Sequence, residues 1–166
     1  MKTFLRTAGL ATLLAFSATP LLAAQASVNF NVTLTINAEC KIISASNINF
    51  GTITFLSSNI DMDGTIIVQC TNSTPYNIGL GAGNGSGATV ASRVLTAPGP
   101  PVTTVAYSLY SDVARTAVWD NVIGTNTVTG TGTGANQSYT VHGRVAPQVL
   151  AAPGAYTDVI QVTVTY

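Results

Sequence analysis

Val28-Asn29-Phe30-Asn31-Val32-Thr33-Leu34-Thr35-Ile36-Asn37 alternates apolar and polar residues without a break. Successive side chains of a strand point to opposite faces. Val28, Phe30, Val32, Leu34 and Ile36 therefore share one face, and Asn and Thr fill the other. Period two over ten residues, with no Gly or Pro inside, predicts a strand with one buried face.

The far end of the sequence repeats the pattern. In Asp158–Tyr166, Ile160, Val162, Val164 and Tyr166 fall on one face and Gln161, Thr163 and Thr165 on the other, after a turn at Pro153-Gly154. Between these ends, β-like runs occupy Ile48–Leu56, Thr65–Cys70, Tyr76–Leu80, Thr104–Tyr110 and Ser138–Val145. Gly-, Asn- and Ser-rich stretches separate them, among them 81–87 and 124–134, both read as loops. Val113–Val118 is the nearest approach to a helix and is too short to stand alone. This density of short strands predicts an all-β sandwich or barrel. The sequence stops on the strand at its far end.

The first residues read as an address. Lys2 and Arg6 precede an apolar or small run from Ala8 to Leu22, and Ala23, Ala24 and Ala26 follow. That order is a secretory signal peptide. Ala24-Gln25-Ala26 gives the best cleavage match, before Ser27; a cut after Ala23 or Ala24 fits nearly as well. The apolar run is short of the ~20 residues a membrane span needs. The remaining chain suits one domain.

After cleavage, four basic residues stand against six acidic ones, a net charge of −2. No basic stripe is available for phosphates, which argues against nucleic acid as a partner. Charged residues are 7% of the chain, far below the roughly 25% of ordinary domains. Such a surface suits a protein packed among copies of itself. Export makes a disulfide between the two cysteines, Cys40 and Cys70, the expected state.

Little here points to catalysis, a cofactor or a metal. His142 is the one histidine; Asp112 or Asp158 could join it in a triad, but no Gly-x-Ser-x-Gly elbow accompanies it. Gly81–Gly87 lacks the Gly-Lys-Ser/Thr ending of a phosphate loop. Asp61-Met62-Asp63-Gly64 opens like a calcium loop without its later ligands, and reads as a turn. Trp119 with Tyr107 and Tyr110 could stack on a sugar; aromatics in strands are more often core.

Several pieces together carry a resemblance. An alternating strand leads to Cys40; Phe50-Gly51 and Ile66-Ile67-Val68-Gln69-Cys70-Thr71 follow. Then come Tyr107-Ser108-Leu109-Tyr110-Ser111-Asp112, Arg115 and Trp119. Tyr139-Thr140-Val141-His142-Gly143-Arg144-Val145 precedes Gly154-Ala155-Tyr156-Thr157-Asp158 and the strand ending in Tyr166. In this order they resemble the spore coat protein U family, which includes pilus subunits of the archaic chaperone–usher pathway. His142 departs from it, standing where an aromatic is expected.

The resemblance implies an incomplete immunoglobulin-like β-sandwich completed by donor-strand exchange, a mode of strand addition for which chaperone–pilin pairing is a standard example. It implies a signal peptide at 1–26, a donor-strand extension at 27–37 carrying Val28, Phe30, Val32, Leu34 and Ile36, and a pilin domain at 38–166. The implied partners are a periplasmic chaperone, an outer-membrane usher and other pilus subunits. The implied place is the cell surface, reached through the periplasm, with a role in adhesion or biofilm formation and no enzymatic activity. The alternatives are a spore-coat or matrix structural protein, and a secreted carbohydrate-binding sandwich.

Overall fold

All regular structure among the described residues is β. The computed structural model describes residues 23–99, 101–149 and 152–166. The signal-peptide reading of 1–26 falls almost wholly outside them. The chain divides into two units, one up to Thr35 and one from Ile36 to Tyr166.

In the first unit, residues 23–35 form no regular element, and Val28, Phe30, Val32 and Leu34 are 83–90% exposed. The stretch with the strictest strand pattern in the sequence is thus unpaired.

Among its described residues the second unit holds eight strands: β1 (Cys40–Ala45), β2 (Ile60–Cys70), β3 (Pro75–Leu80), β4 (Arg93–Ala97), β5 (Thr103–Tyr110), β6 (Val128–Thr131), β7 (Asn136–Val145) and β8 (Val162–Thr165). They form two sheets, ordered β1-β2-β7-β5-β4 and β6-β3-β8, with every pairing antiparallel. Inward residues alternate as a sandwich requires: Ile66, Val68 and Cys70 on β2, Val105, Tyr107 and Leu109 on β5, Tyr76, Ile78 and Leu80 on β3. Trp119 fills the middle, its indole N–H donating to the Ile78 carbonyl at 2.9 Å. The disulfide Cys40–Cys70 joins directly opposed residues of β1 and β2.

Four sequence expectations are corrected. Asp61–Gly64 is not a turn but part of β2, paired with Val141–Arg144 of β7. The two carboxylates are tolerated there because arginines meet them: Arg144 grips Asp61 through two 2.7 Å hydrogen bonds and Arg115 reaches Asp63 at 2.7 Å. The 124–134 loop contains β6, and β4 lies in a stretch with no strand expectation. Ile48–Leu56 forms no strand; it leaves the sheet after Ser46, and of its residues only Ile48, Phe50 and Leu56 turn onto the core while the rest are exposed. Finally, β8 covers only the end of Asp158–Tyr166, because the residues before it pass from one sheet to the other. Thr157 exchanges two backbone hydrogen bonds with Thr96 of β4, and four residues on Gln161 accepts one from Gly81, beyond the end of β3.

Candidate functional site

The segment after β1 and the crossing segment before β8 leave a gap between them. An open groove of about 1390 Å³ runs into the sandwich, with residues 45–56 as one wall and 152–162 as the other. Its floor is the core itself: Ile66, Leu80, Leu95, Val105, Leu109, Val141 and Val145 line it. Core side chains are normally covered on all sides at close packing. Here β8 is an edge strand with β3 on one side only, and β1 is the edge of the other sheet on the same flank. The lining begins at Ala45 and Val162, so β1 and β8, which approach each other, close the groove at the Cys40–Cys70 end.

Each wall is positioned by identifiable contacts. On the N-terminal wall, Ile48 and Phe50 press onto the inner face of β2 and β7 where Gly64 and Gly143 leave room. A Cβ on Gly64 would lie 2.7 Å from Ile48, and one on Gly143 would lie 3.1 Å from Phe50. Gly51 then turns the chain with φ +81°, a conformation that suits glycine. Phe50 also meets the Tyr107 ring edge to face at 6.3 Å.

On the C-terminal wall, Asp158 is the anchor. Its Oδ2 accepts from the Tyr107 hydroxyl at 2.7 Å, and its Oδ1 from the amides of Asn84 at 2.7 Å and Val159 at 2.8 Å. Burial, then the bond to Asp158, pushes the Tyr107 phenol far above its ordinary range, so it stays protonated and donating. Beside it Arg93 is fully buried. Its guanidinium donates to the carbonyls of Gly81, Val90, Leu80 and Trp119 at 2.8–3.0 Å. Burial pulls its pKa down, while Tyr107, Asp120 and Asp158 oppose the shift. These bonds fix the 81–92 loop against the wall.

The residues weighed for catalysis or sugar stacking do not converge. His142 lies on the outer face of the five-stranded sheet, its Nδ1 3.0 Å from Asp63 Oδ1. Asp112 instead caps the 112–117 loop, accepting from the amides of Thr116 and Ala117. Asp158 belongs to the groove wall. Trp119 and Tyr107 are buried in the core, so the three-aromatic sugar platform does not exist. Among the described residues, no cluster of His, Cys, Asp and Glu could hold a metal ion. The sequence implies an open groove only through the family resemblance; which residues line it, and that 45–56 and 152–162 form its walls, no motif marks.

Two antiparallel sheets around a core left open along one flank define an immunoglobulin-like sandwich short of a strand. The chain belongs to the Spore Coat Protein U domain family, whose model matches residues 26–163. It is similar to Protein U of Myxococcus xanthus, with 33% identity over 94% of this chain and 92% of the relative. In fold it is similar to a chain of the CsuC–CsuE chaperone–tip adhesion subunit pre-assembly complex from the archaic chaperone–usher Csu pili of Acinetobacter baumannii. The TM-score is 0.55 at 19% identity, over 80% of this chain. The match spans only 40% of that chain's length.

Proposed function

We propose that the protein is a structural subunit of an archaic chaperone–usher pilus, polymerising by donor-strand complementation at the cell surface for adhesion or biofilm formation. Residues 1–26 are its signal peptide, 27–37 its donor strand and 38–166 its pilin domain. The reading rests above all on the apolar groove, open along one flank of the core, in a chain that also carries an unpaired segment of strict strand periodicity. Val28, Phe30, Val32, Leu34 and Ile36 are the side chains that enter the groove of the next subunit. A periplasmic chaperone fills it first, and an outer-membrane usher is where the exchange occurs.

Chain direction supports donation between copies. β3 starts just after β2 ends at Cys70, and β8 is antiparallel to β3. So β8 runs toward the disulfide, whereas β1 runs away from it. Only Asn37, Ala38 and Glu39 separate Ile36 from Cys40. A strand so tethered could enter its own groove only parallel to β8. One from another copy is free to lie antiparallel, the slightly stronger pairing. Burying five such side chains at about 1.5–3 kcal/mol each gives roughly 8–15 kcal/mol before ordering and association costs.

The test is whether the mature chain forms multimers that survive detergent without boiling and collapse to monomer on boiling. A single band before boiling, at concentrations where fibres should form, contradicts the reading. The family description favours a coat or matrix protein as the second reading; electron microscopy would then find an amorphous layer instead of fibres.

A further inference from the structure

The outer face of the three-stranded sheet carries a second concavity. An open cleft of about 680 Å³ is lined by Pro75, Asn77, Thr129, Thr131, Thr165 and Tyr166, with Tyr76 and Gly130 beneath. Register explains the convergence: Asn77 of β3 is paired with Thr129 of β6 on one side and Thr165 of β8 on the other. Strand alternation turns all three outward, while Tyr76, Ile78 and Val164 turn to the core.

Its chemistry is narrow. No side chain lining the cleft is charged. The threonines are exposed. The Asn77 Oδ1 accepts from Thr127 Oγ1 at 3.2 Å, which leaves the amide NH₂ to donate outward. Tyr166 is 58% exposed, unlike the core aromatics Trp119, Tyr107 and Tyr76. An accessible aromatic ring beside hydroxyls and an amide suits a ligand with apolar C–H faces and neutral hydroxyl edges. An anionic ligand would find no cation here to offset its desolvation.

We propose that this cleft binds a neutral polysaccharide. Tyr166 stacks on a sugar ring, and Asn77 with Thr129 and Thr165 exchanges hydrogen bonds with its hydroxyls. One open cleft with few donors gives a weak site per subunit. In the polymer proposed above, on which this rests, a strand added at the free edge of β8 leaves the outer face uncovered, so a fibre repeats the cleft once per subunit. Linked weak sites raise avidity by about 10²–10⁴.

The experiment uses the mature chain, separated into monomeric and polymeric fractions. The probes are hexasaccharides of glucose, mannose, galactose and N-acetylglucosamine, with polygalacturonate as the acidic control. Saturation-transfer NMR should detect at least one neutral probe at millimolar concentration in both fractions. Tyr166→Ala and Thr129→Asp should each lower the signal about tenfold or more without altering the melting temperature. On a matrix of the bound sugar, polymer should be retained about 100-fold more tightly than monomer. Absence of transfer to all four neutral probes, equal binding by Tyr166→Ala, or preference for polygalacturonate overturns the proposal. Binding by a chain that never polymerises would sink the pilus reading and leave the cleft intact; polymers that bind no probe do the reverse.

Discussion

Tyr107 donates its hydroxyl hydrogen to Asp158 at 2.7 Å, fastening the floor of the groove to its C-terminal wall. Tyr107→Phe keeps the ring and removes the donor. Asp158 then retains only the amides of Asn84 and Val159. We expect a loss of about 1–2 kcal/mol in urea unfolding and faster amide exchange at residues 157–161. Unchanged exchange there would show that the wall is held by other contacts.

The donor assignment is tested by charge placement. Val32→Asp sets a carboxylate on the apolar face; in an apolar groove it costs several kcal/mol or must take up a proton. Thr33→Asp charges the polar face instead. Val32→Asp should abolish fibres while chaperone-bound subunit still accumulates, and Thr33→Asp should assemble. Normal fibres from Val32→Asp would refute the assignment.

Gly143→Val aims at the opposite wall. Its Cβ would lie 3.1 Å from Phe50 and 3.0 Å from the Met62 carbonyl, so Phe50 must be pushed away from β7. Overpacking of this kind costs about 1–3 kcal/mol, and multimers should be reduced more than folded monomer. If monomer and multimer fall in parallel, Phe50 does not gate the groove.

Removing the disulfide as Cys40→Ser/Cys70→Ser frees a loop of 30 residues, which the chain-entropy model values at about 3–4 kcal/mol. Chemical denaturation of the variant measures this directly. In the wild-type protein, thiol labelling under denaturing, non-reducing conditions should find no free cysteine.

Acid sensitivity has a defined sign. Hydrogen bonds from Arg144 hold the Asp61 carboxyl below its ordinary value, and the Ala117 amide does the same for Asp112. A folded-state pKa below the unfolded one contributes stability that is complete above about pH 4 and is lost as pH falls through the folded value. Melting temperatures should therefore drop between pH 4 and 2. The drop should be shallower in Asp61→Asn and Asp112→Asn, and equal slopes in all three proteins would contradict it.

The strands legible in the sequence are those whose faces differ plainly, such as β5 and β7. β6 is hidden by Gly130 inside it and by the glycines that flank it. Gly130 faces inward because the Tyr76 and Tyr139 rings fill the space above it, where a Cβ would lie 2.5 Å from either. β4 was hidden because its buried end is Arg93, a charge satisfied by four carbonyls that only the folded chain brings together. Ile48–Phe50 has strand composition, yet its side chains are spent on notches at Gly64 and Gly143 instead of on a ladder. The groove could not be read from any one segment, being the space left between two. The cleft at Asn77 depends on β6 and so is equally hidden; Tyr166 shares a face with Val162 and Val164 in the sequence pattern, yet it lies exposed at the rim, past the end of β8, while they pack on the core.

The disulfide also has a mechanical meaning. Cys40 is the first residue of β1, and its bridge partner ends β2, which is paired on both sides. In a fibre held by residues 28–36, tension arriving from the neighbouring subunit meets the bridge before any hydrogen bond of β1. The load passes covalently into β2 and is carried in shear by its ten-residue register with β7, rather than unzipping the edge strand. Single-fibre pulling with and without reductant should therefore differ in rupture force, with the reduced subunit yielding first by peeling β1.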